Sequence, residues 1–96
     1  MDKRFNPLSP AEELQARRAL AEELAKDPGM PIPAVVRKIR GSLRLTIAEY
    51  AKVCGVSART LQDIEREVSS PTLATAEKLL LPMGMAPGAV ARPRQR

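Results

Sequence analysis

Apolar residues recur along this chain at helical rather than strand spacing. In "SPAEELQARRALAEELAKDPG", Ser9 stands as an N-cap, Pro10 as the first helical residue and Glu12 as the partner in a capping box, and Asp27-Pro28-Gly29 breaks the run. Its apolar stripe is thin: Leu14, Leu20, Ala21 and Leu24 fall roughly on one face, with Arg17 and Arg18 interrupting. Such a helix either covers the domain that follows or pairs with a second subunit. "GMPIP" then makes a rigid connector, since each proline fixes its own φ and restricts the residue before it. A new unit opens near Pro33, where Val35, Val36, Ile39 and Leu43 recur at helical spacing while Arg37, Lys38 and Arg40 take other faces. Thr46 is placed to cap a short helix reaching about Val53 and burying Tyr50, Ala51 and Cys54. Ser57 opens another helix, and a last one spans 72–81, stopped by Pro82.

Composition narrows the picture. Ninety-six residues make one small domain with extensions, and with only Phe5 and Tyr50 aromatic the core must be aliphatic, which favours packed helices over a sheet. Three segments follow: a helix and connector over 1–31, a compact unit over 32–86 and a tail over 87–96. The net charge of +5 is unevenly spread. Residues 1–31 carry five basic and six acidic groups, residues 32–86 eight and five, and the tail three and none. The central unit and the tail thus suit an anionic partner. The tail, rich in Pro and Gly, has nothing to pack and is expected to be mobile; its Arg92, Arg94 and Arg96 are either solvated or a DNA arm.

Histidine is absent and Cys54 is the only cysteine, so neither an intramolecular disulfide nor a cysteine-clustered zinc site is predicted, and no other metal or cofactor. No phosphate-cradling glycine loop and no carboxylate pair in an evident pocket is present, which argues against an enzyme. Cys54 reads as a small core residue, with a redox sensor as the alternative. The first ten residues lack a signal-peptide pattern, and the uncharged stretch from Leu79 to Ala91 is too short and broken to span a bilayer. A cytoplasmic protein without a membrane segment is expected.

"GVSARTLQDIERE", residues 55–67, carries the chemistry. A tight helix–turn–helix needs a small residue where two helices approach, here Ala51, a residue that turns at positive φ, here Gly55, and an apolar plug, here Val56. Leu61 and Ile64 supply the buried stripe of the second helix, leaving Ala58, Arg59, Gln62, Asp63 and Arg66 outward. In an arbitrary helix those side chains would be a solvated face. In this context they are candidate readers of DNA.

"LTIAEYAKVCGVSARTLQDIERE" followed by "SPTLATAEKLLLPMGM" resembles the helix-turn-helix family of phage Cro and cI repressors, the Xre family, over roughly residues 33–85. The resemblance rests on several features in register: Ile39-Arg40, Leu45-Thr46, Gly55-Val56-Ser57, Ile64-Glu65-Arg66, Pro71, and Leu79 to Met85. It implies an all-α fold, a four-helix Cro/cI-like core extended by the N-terminal helix and the basic tail. It further implies that Ala58, Arg59, Thr60 and Asp63 face bases in the major groove, with Gln62 on a base or the backbone. Arg59 could donate twice to guanine, Ala58 touch a thymine methyl and Asp63 accept from cytosine. Phosphate contacts are implied for Arg44, Thr46, Ser57, Arg66, Ser69 and Ser70, and a structural ion pair for Arg40 and Glu65.

Ile47 stands where the family commonly has glutamine, and Arg44 and Glu67 where it often has glycine. The last departure suggests a helix that ends differently or runs longer. The function implied is a transcriptional regulator, a repressor binding a palindromic operator in double-stranded DNA as a homodimer, with the N-terminal helix as the first candidate for the dimer surface and the helix over 72–81 with the segment after it as its rival. The alternative is an antitoxin-like or adaptor protein whose N-terminal helix binds a protein partner, with DNA binding secondary or lost.

Overall fold

The computed structural model describes residues 7–91. Five α-helices follow one another: α1 (Pro10–Ala25), α2 (Ile32–Ser42), α3 (Ile47–Cys54), α4 (Ala58–Glu65) and α5 (Leu73–Leu80), the last running into a 3₁₀ turn, Leu81–Met83. The described residues contain no strand, and the fold is all-α. Helix starts are set by local chemistry. Ser9 and Thr46 each accept from the N–H three residues on, while Glu12 and Glu49 accept the cap's own N–H. Ser57 and Thr72 cap α4 and α5 through their hydroxyls.

Helix ends are closed by a second device. After α2, α3, α4 and the 3₁₀ turn, one residue takes a left-handed conformation: Arg44, Gly55, Glu67 and Gly84. In each case the next N–H reaches back five residues, as Leu45 to Arg40, Val56 to Ala51, Val68 to Asp63 and Met85 to Leu80. These are Schellman closures, which satisfy carbonyls that a helix end leaves free. Glycine occupies two of the left-handed sites, while Arg44 and Glu67 occupy the others at φ 56° and 60°. The helix reaching Glu65 therefore does not run longer in the absence of glycine. The backbone bonds impose the left-handed residue whatever side chain stands there.

One apolar cluster unites the helices. Val36 and Ile39 of α2, Tyr50 of α3, Leu61 and Ile64 of α4 and Leu79 of α5 are buried together, and Leu20 and Leu24 of α1 enter the same cluster. The Tyr50 hydroxyl donates to the Leu79 carbonyl at 2.6 Å, which gives the one buried phenol a partner. Cys54 is buried and unpaired, and burial pushes its thiol upward, away from the reactive thiolate.

Three expectations need correcting. The buried stripe of α1 is Leu20 and Leu24 with half-buried Ala16, spaced by four; Leu14 is 54% exposed and Ala21 is exposed. Leu14 lies six residues from Leu20, which at 3.6 residues per turn turns it off the stripe. The stripe thus serves the chain's own core, where the Arg17 guanidinium also donates to the Pro82 carbonyl at 2.9 Å. The final helix stops at Leu80, and Pro82 sits within the 3₁₀ turn. Finally, the start of the tail does pack: Pro87, Gly88 and Val90 line a groove with Pro28, Gly29 and Met30 of the connector. Arg92, Arg94 and Arg96 lie outside the described residues.

Candidate nucleic-acid interface

The helix–turn–helix consists of α3 and α4, joined by Gly55-Val56-Ser57. Gly55 has φ 78°, and an added Cβ there would meet nothing within 4 Å, so the site needs glycine for its backbone and not for space. Val56 packs half-buried against the core as the plug. Leu61 and Ile64 bury the inner face of α4. Ala58, Arg59, Gln62 and Arg66 are exposed, Thr60 and Asp63 half-buried.

Arg59 is 83% exposed on its side chain, and its Nε lies 3.4 Å from Asp63 Oδ2. At this exposure the pair contributes little to folding. Its guanidinium is held over α4 with donors still available to a base edge. The Ser57 hydroxyl accepts the Thr60 N–H at 3.0 Å and donates to Thr60 Oγ1 at 2.8 Å. Both hydroxyls are thus engaged in capping, which leaves the Thr60 proton as the free donor of this turn.

The first turns of the helices differ in charge. Glu12 and Glu13 sit in that of α1 and Glu49 in that of α3, whereas α4 has no acidic residue there. Aligned peptide dipoles place partial positive charge at a helix N-terminus, so α4 retains an attraction for anions that a carboxylate offsets in α3. The Thr46 N–H in particular is taken by Glu49 at 2.9 Å. Arg44 is exposed, but Glu13 and Glu49 line the same surface depression. It also helps to hold the Glu12 carboxyl low, a shift caused first by hydrogen bonds from Ser9. Ser69 and Ser70 are exposed in the loop after α4, close in sequence to Arg66. Arg44 and Thr46 thus belong to the α3 edge, and Arg66, Ser69 and Ser70 to the far end of α4.

Arg40 braces α4 from behind. Its Nε and Nη2 donate to both oxygens of Glu65 at 2.8 and 2.9 Å, and its Nη1 donates to the Leu45 carbonyl at 3.1 Å. Glu65, 6% exposed, is the single buried charged residue among those described. The bidentate geometry is the stronger form of an ion pair and fixes angle as well as distance. Arg37, one turn earlier on α2, donates to the Glu65 carbonyl and lies 3.8 Å from the Glu67 carboxylate. Its role was hidden in the sequence. The only signal is the three-residue spacing of Arg37 and Arg40, which puts two guanidinium groups on one face of α2.

Among the described residues, no group of three or more acidic or thiol side chains could hold a metal ion, and no helix is long and apolar enough to cross a membrane. The arrangement is suited to binding: an exposed polar helix face, electropositive at its start and fixed in angle by buried ionic contacts. The helix-turn-helix family profile matches residues 36–88, more than half of the chain. Comparison with curated proteins and with solved structures finds no match. The matched stretch contains the whole of α3, the turn and α4, and the chain belongs to the Cro/cI-type helix-turn-helix family of DNA-binding regulators.

Proposed function

We propose that this protein is a sequence-specific transcriptional repressor that binds an inverted repeat in double-stranded DNA as a homodimer and occludes a promoter. The observation that carries this reading is the outer face of α4: Ala58, Arg59 and Gln62 are exposed beside a helix start free of carboxylates, and Arg40 fixes the other end. An α-helix fits the major groove, where Arg59 can read guanine and Ala58 a thymine methyl. Asp63 accepts from cytosine or, through its 3.4 Å contact, orients Arg59. Arg66, Ser69 and Ser70 would hold phosphates at the far end of α4, and Arg44 and Thr46 would do so at the α3 edge; the Ser57 hydroxyl, whose proton goes to Thr60, joins them only by giving up that bond. One such helix reads too few base pairs to be selective in a genome, which favours two copies on two half-sites about one helical turn apart.

The test is selection from a random duplex pool at about 150 mM salt, where non-specific affinity is already weak. Wild type and Arg59→Ala are run in parallel. Enrichment of a palindrome whose guanine preference relaxes in the variant is the expected result. If wild type enriches nothing, the reading fails.

The antitoxin-like or adaptor alternative places a protein partner on α1. The apolar stripe of that helix is spent on the chain's own core, which leaves this alternative with less support.

A further inference from the structure

The last carbonyls of α4 outrun the hydrogen bonding that closes the helix. The Val68 N–H donates to the Asp63 carbonyl at 2.8 Å and the Glu67 N–H to that of Ile64 at 3.0 Å. Among the described residues, no backbone N–H reaches the carbonyl of Glu65. The Schellman closure leaves it open, and Arg37 of α2 fills the gap by donating through Nη1. The same guanidinium lies 3.8 Å from the Glu67 carboxylate, but both side chains are exposed and that pair holds weakly. One turn further along α2, Arg40 takes the Glu65 carboxylate with two hydrogen bonds. Two guanidinium groups on one face of α2 therefore grip a single residue of α4, one by its main chain and one by its side chain.

We propose that Arg37 is a positioning residue for base reading: it fixes the rotation of α4 about its own axis and so sets the direction of Arg59. The proposal rests on the reading of α4 as the helix that enters the major groove. An attachment through a side chain alone lets a helix roll, because the side-chain torsions absorb the turn. A second attachment, to a carbonyl that is rigid within the helix backbone, stops the roll. With its side chains an α-helix is about 5–6 Å in radius, so a roll of about 10° carries an outward group about 1 Å. A binding constellation keeps its geometry only within about 0.5 Å, and the paired hydrogen bonds of a guanidinium to one guanine do not survive such a displacement. The polar contacts of Arg37 among the described residues are to Glu65 and Glu67, at the opposite end of α4 from Arg59. It acts through the helix and not on the base.

The test uses the full chain and two duplexes, the sequence that wild type selects and one of arbitrary sequence, titrated at about 150 mM salt, near physiological ionic strength. Arg37→Gln, measured well below its melting temperature, should lower the ratio of the two affinities at least about tenfold, with the loss falling on the selected duplex. Glu67→Gln breaks the exposed pair and leaves the carbonyl bond, so the ratio should stay within about threefold of wild type. The double variant, whose net charge equals that of wild type, should discriminate as poorly as Arg37→Gln. A second readout needs no DNA: the amide residual dipolar couplings of α4 should depart from their wild-type fit to α2 and α3 in Arg37→Gln and keep it in Glu67→Gln. The inference is overturned if Arg37→Gln weakens both duplexes alike with a salt slope shallower by about one, as loss of a phosphate contact would. It is equally overturned if the double variant recovers the ratio or if the couplings of α4 do not change in Arg37→Gln. Couplings that change in a protein whose wild type prefers no sequence would sink the repressor reading and leave Arg37 as the residue that orients α4.

Discussion

Arg40 and Glu65 join α2 to the last residue of α4 through two parallel hydrogen bonds, and the remaining Arg40 nitrogen holds the loop before α3. The angle of the candidate reading helix thus depends on one guanidinium. Removing one partner of a buried pair leaves the other charge uncompensated, so Glu65→Ala should cost about 3 kcal/mol. Asp63→Ala, at the exposed pair on the same helix, should change stability by no more than about 0.5 kcal/mol. Urea unfolding of the two variants tests the contrast; equal losses would mean that Arg40 does not brace α4.

Replacing Glu67 by glycine should stabilise the protein by up to about 1 kcal/mol. A side chain at left-handed φ costs about 1–2 kcal/mol, and the unfolded chain's greater freedom with glycine takes back part of the gain. The ion pair that Glu67 makes with Arg37 is 3.8 Å long and exposed at both ends, so its removal changes little. Gly55→Ala should move the melting temperature the other way. Lys52→Gly, in the exposed interior of α3, should cost about 1 kcal/mol. A loss of stability in Glu67→Gly comparable to that of Lys52→Gly would refute this account of the helix end.

Alkaline solution should unfold this protein earlier than its lack of histidine suggests. Burial pushes the Cys54 thiol and the Tyr50 phenol above their ordinary values of 9.0 and 10.0. A group that binds its proton more tightly when folded contributes stability below its unfolded pKa and loses it as pH rises beyond. The melting temperature should therefore fall from about pH 9 upward, first through Cys54 and then through Tyr50. Cys54→Ala should remove the earlier part of that fall; an unchanged profile would rule the thiol out.

Glu49→Gln should raise affinity for duplex DNA of arbitrary sequence. Glutamine can keep the capping box, since it too accepts the Thr46 N–H, while the negative charge disappears from the α3 N-terminus. A charge at this position is worth about 0.3–1 kcal/mol, so a gain of about two- to fivefold is expected in a low-salt titration. No gain would mean that this edge lies away from the phosphates.

The parts of the protein legible in the sequence are those made by residues close along the chain. Ser9 with Glu12, Thr46 with Glu49, and Ser57 and Thr72 with residues three further on announce the helix starts, because a cap closes within one turn. Gly55-Val56-Ser57 marks the turn, and the spacing of Leu61 and Ile64 selects the outer face of α4 by period alone. What only tertiary structure decided are contacts between residues far apart. Arg37 reaches a carbonyl 28 residues away and Arg17 one 65 away. No short window encodes such partners, since they exist only after helices pack. The same holds for α1, whose thin stripe leaves open whether it faces its own core or a second subunit. Packing buried Leu20 and Leu24 internally and left Leu73 and Leu81, at the two ends of α5, as the most exposed large apolar side chains among the described residues. Arg44 and Glu67 show the converse: the backbone bonds of a closing helix required left-handed residues, and that demand prevailed over the preference of their side chains.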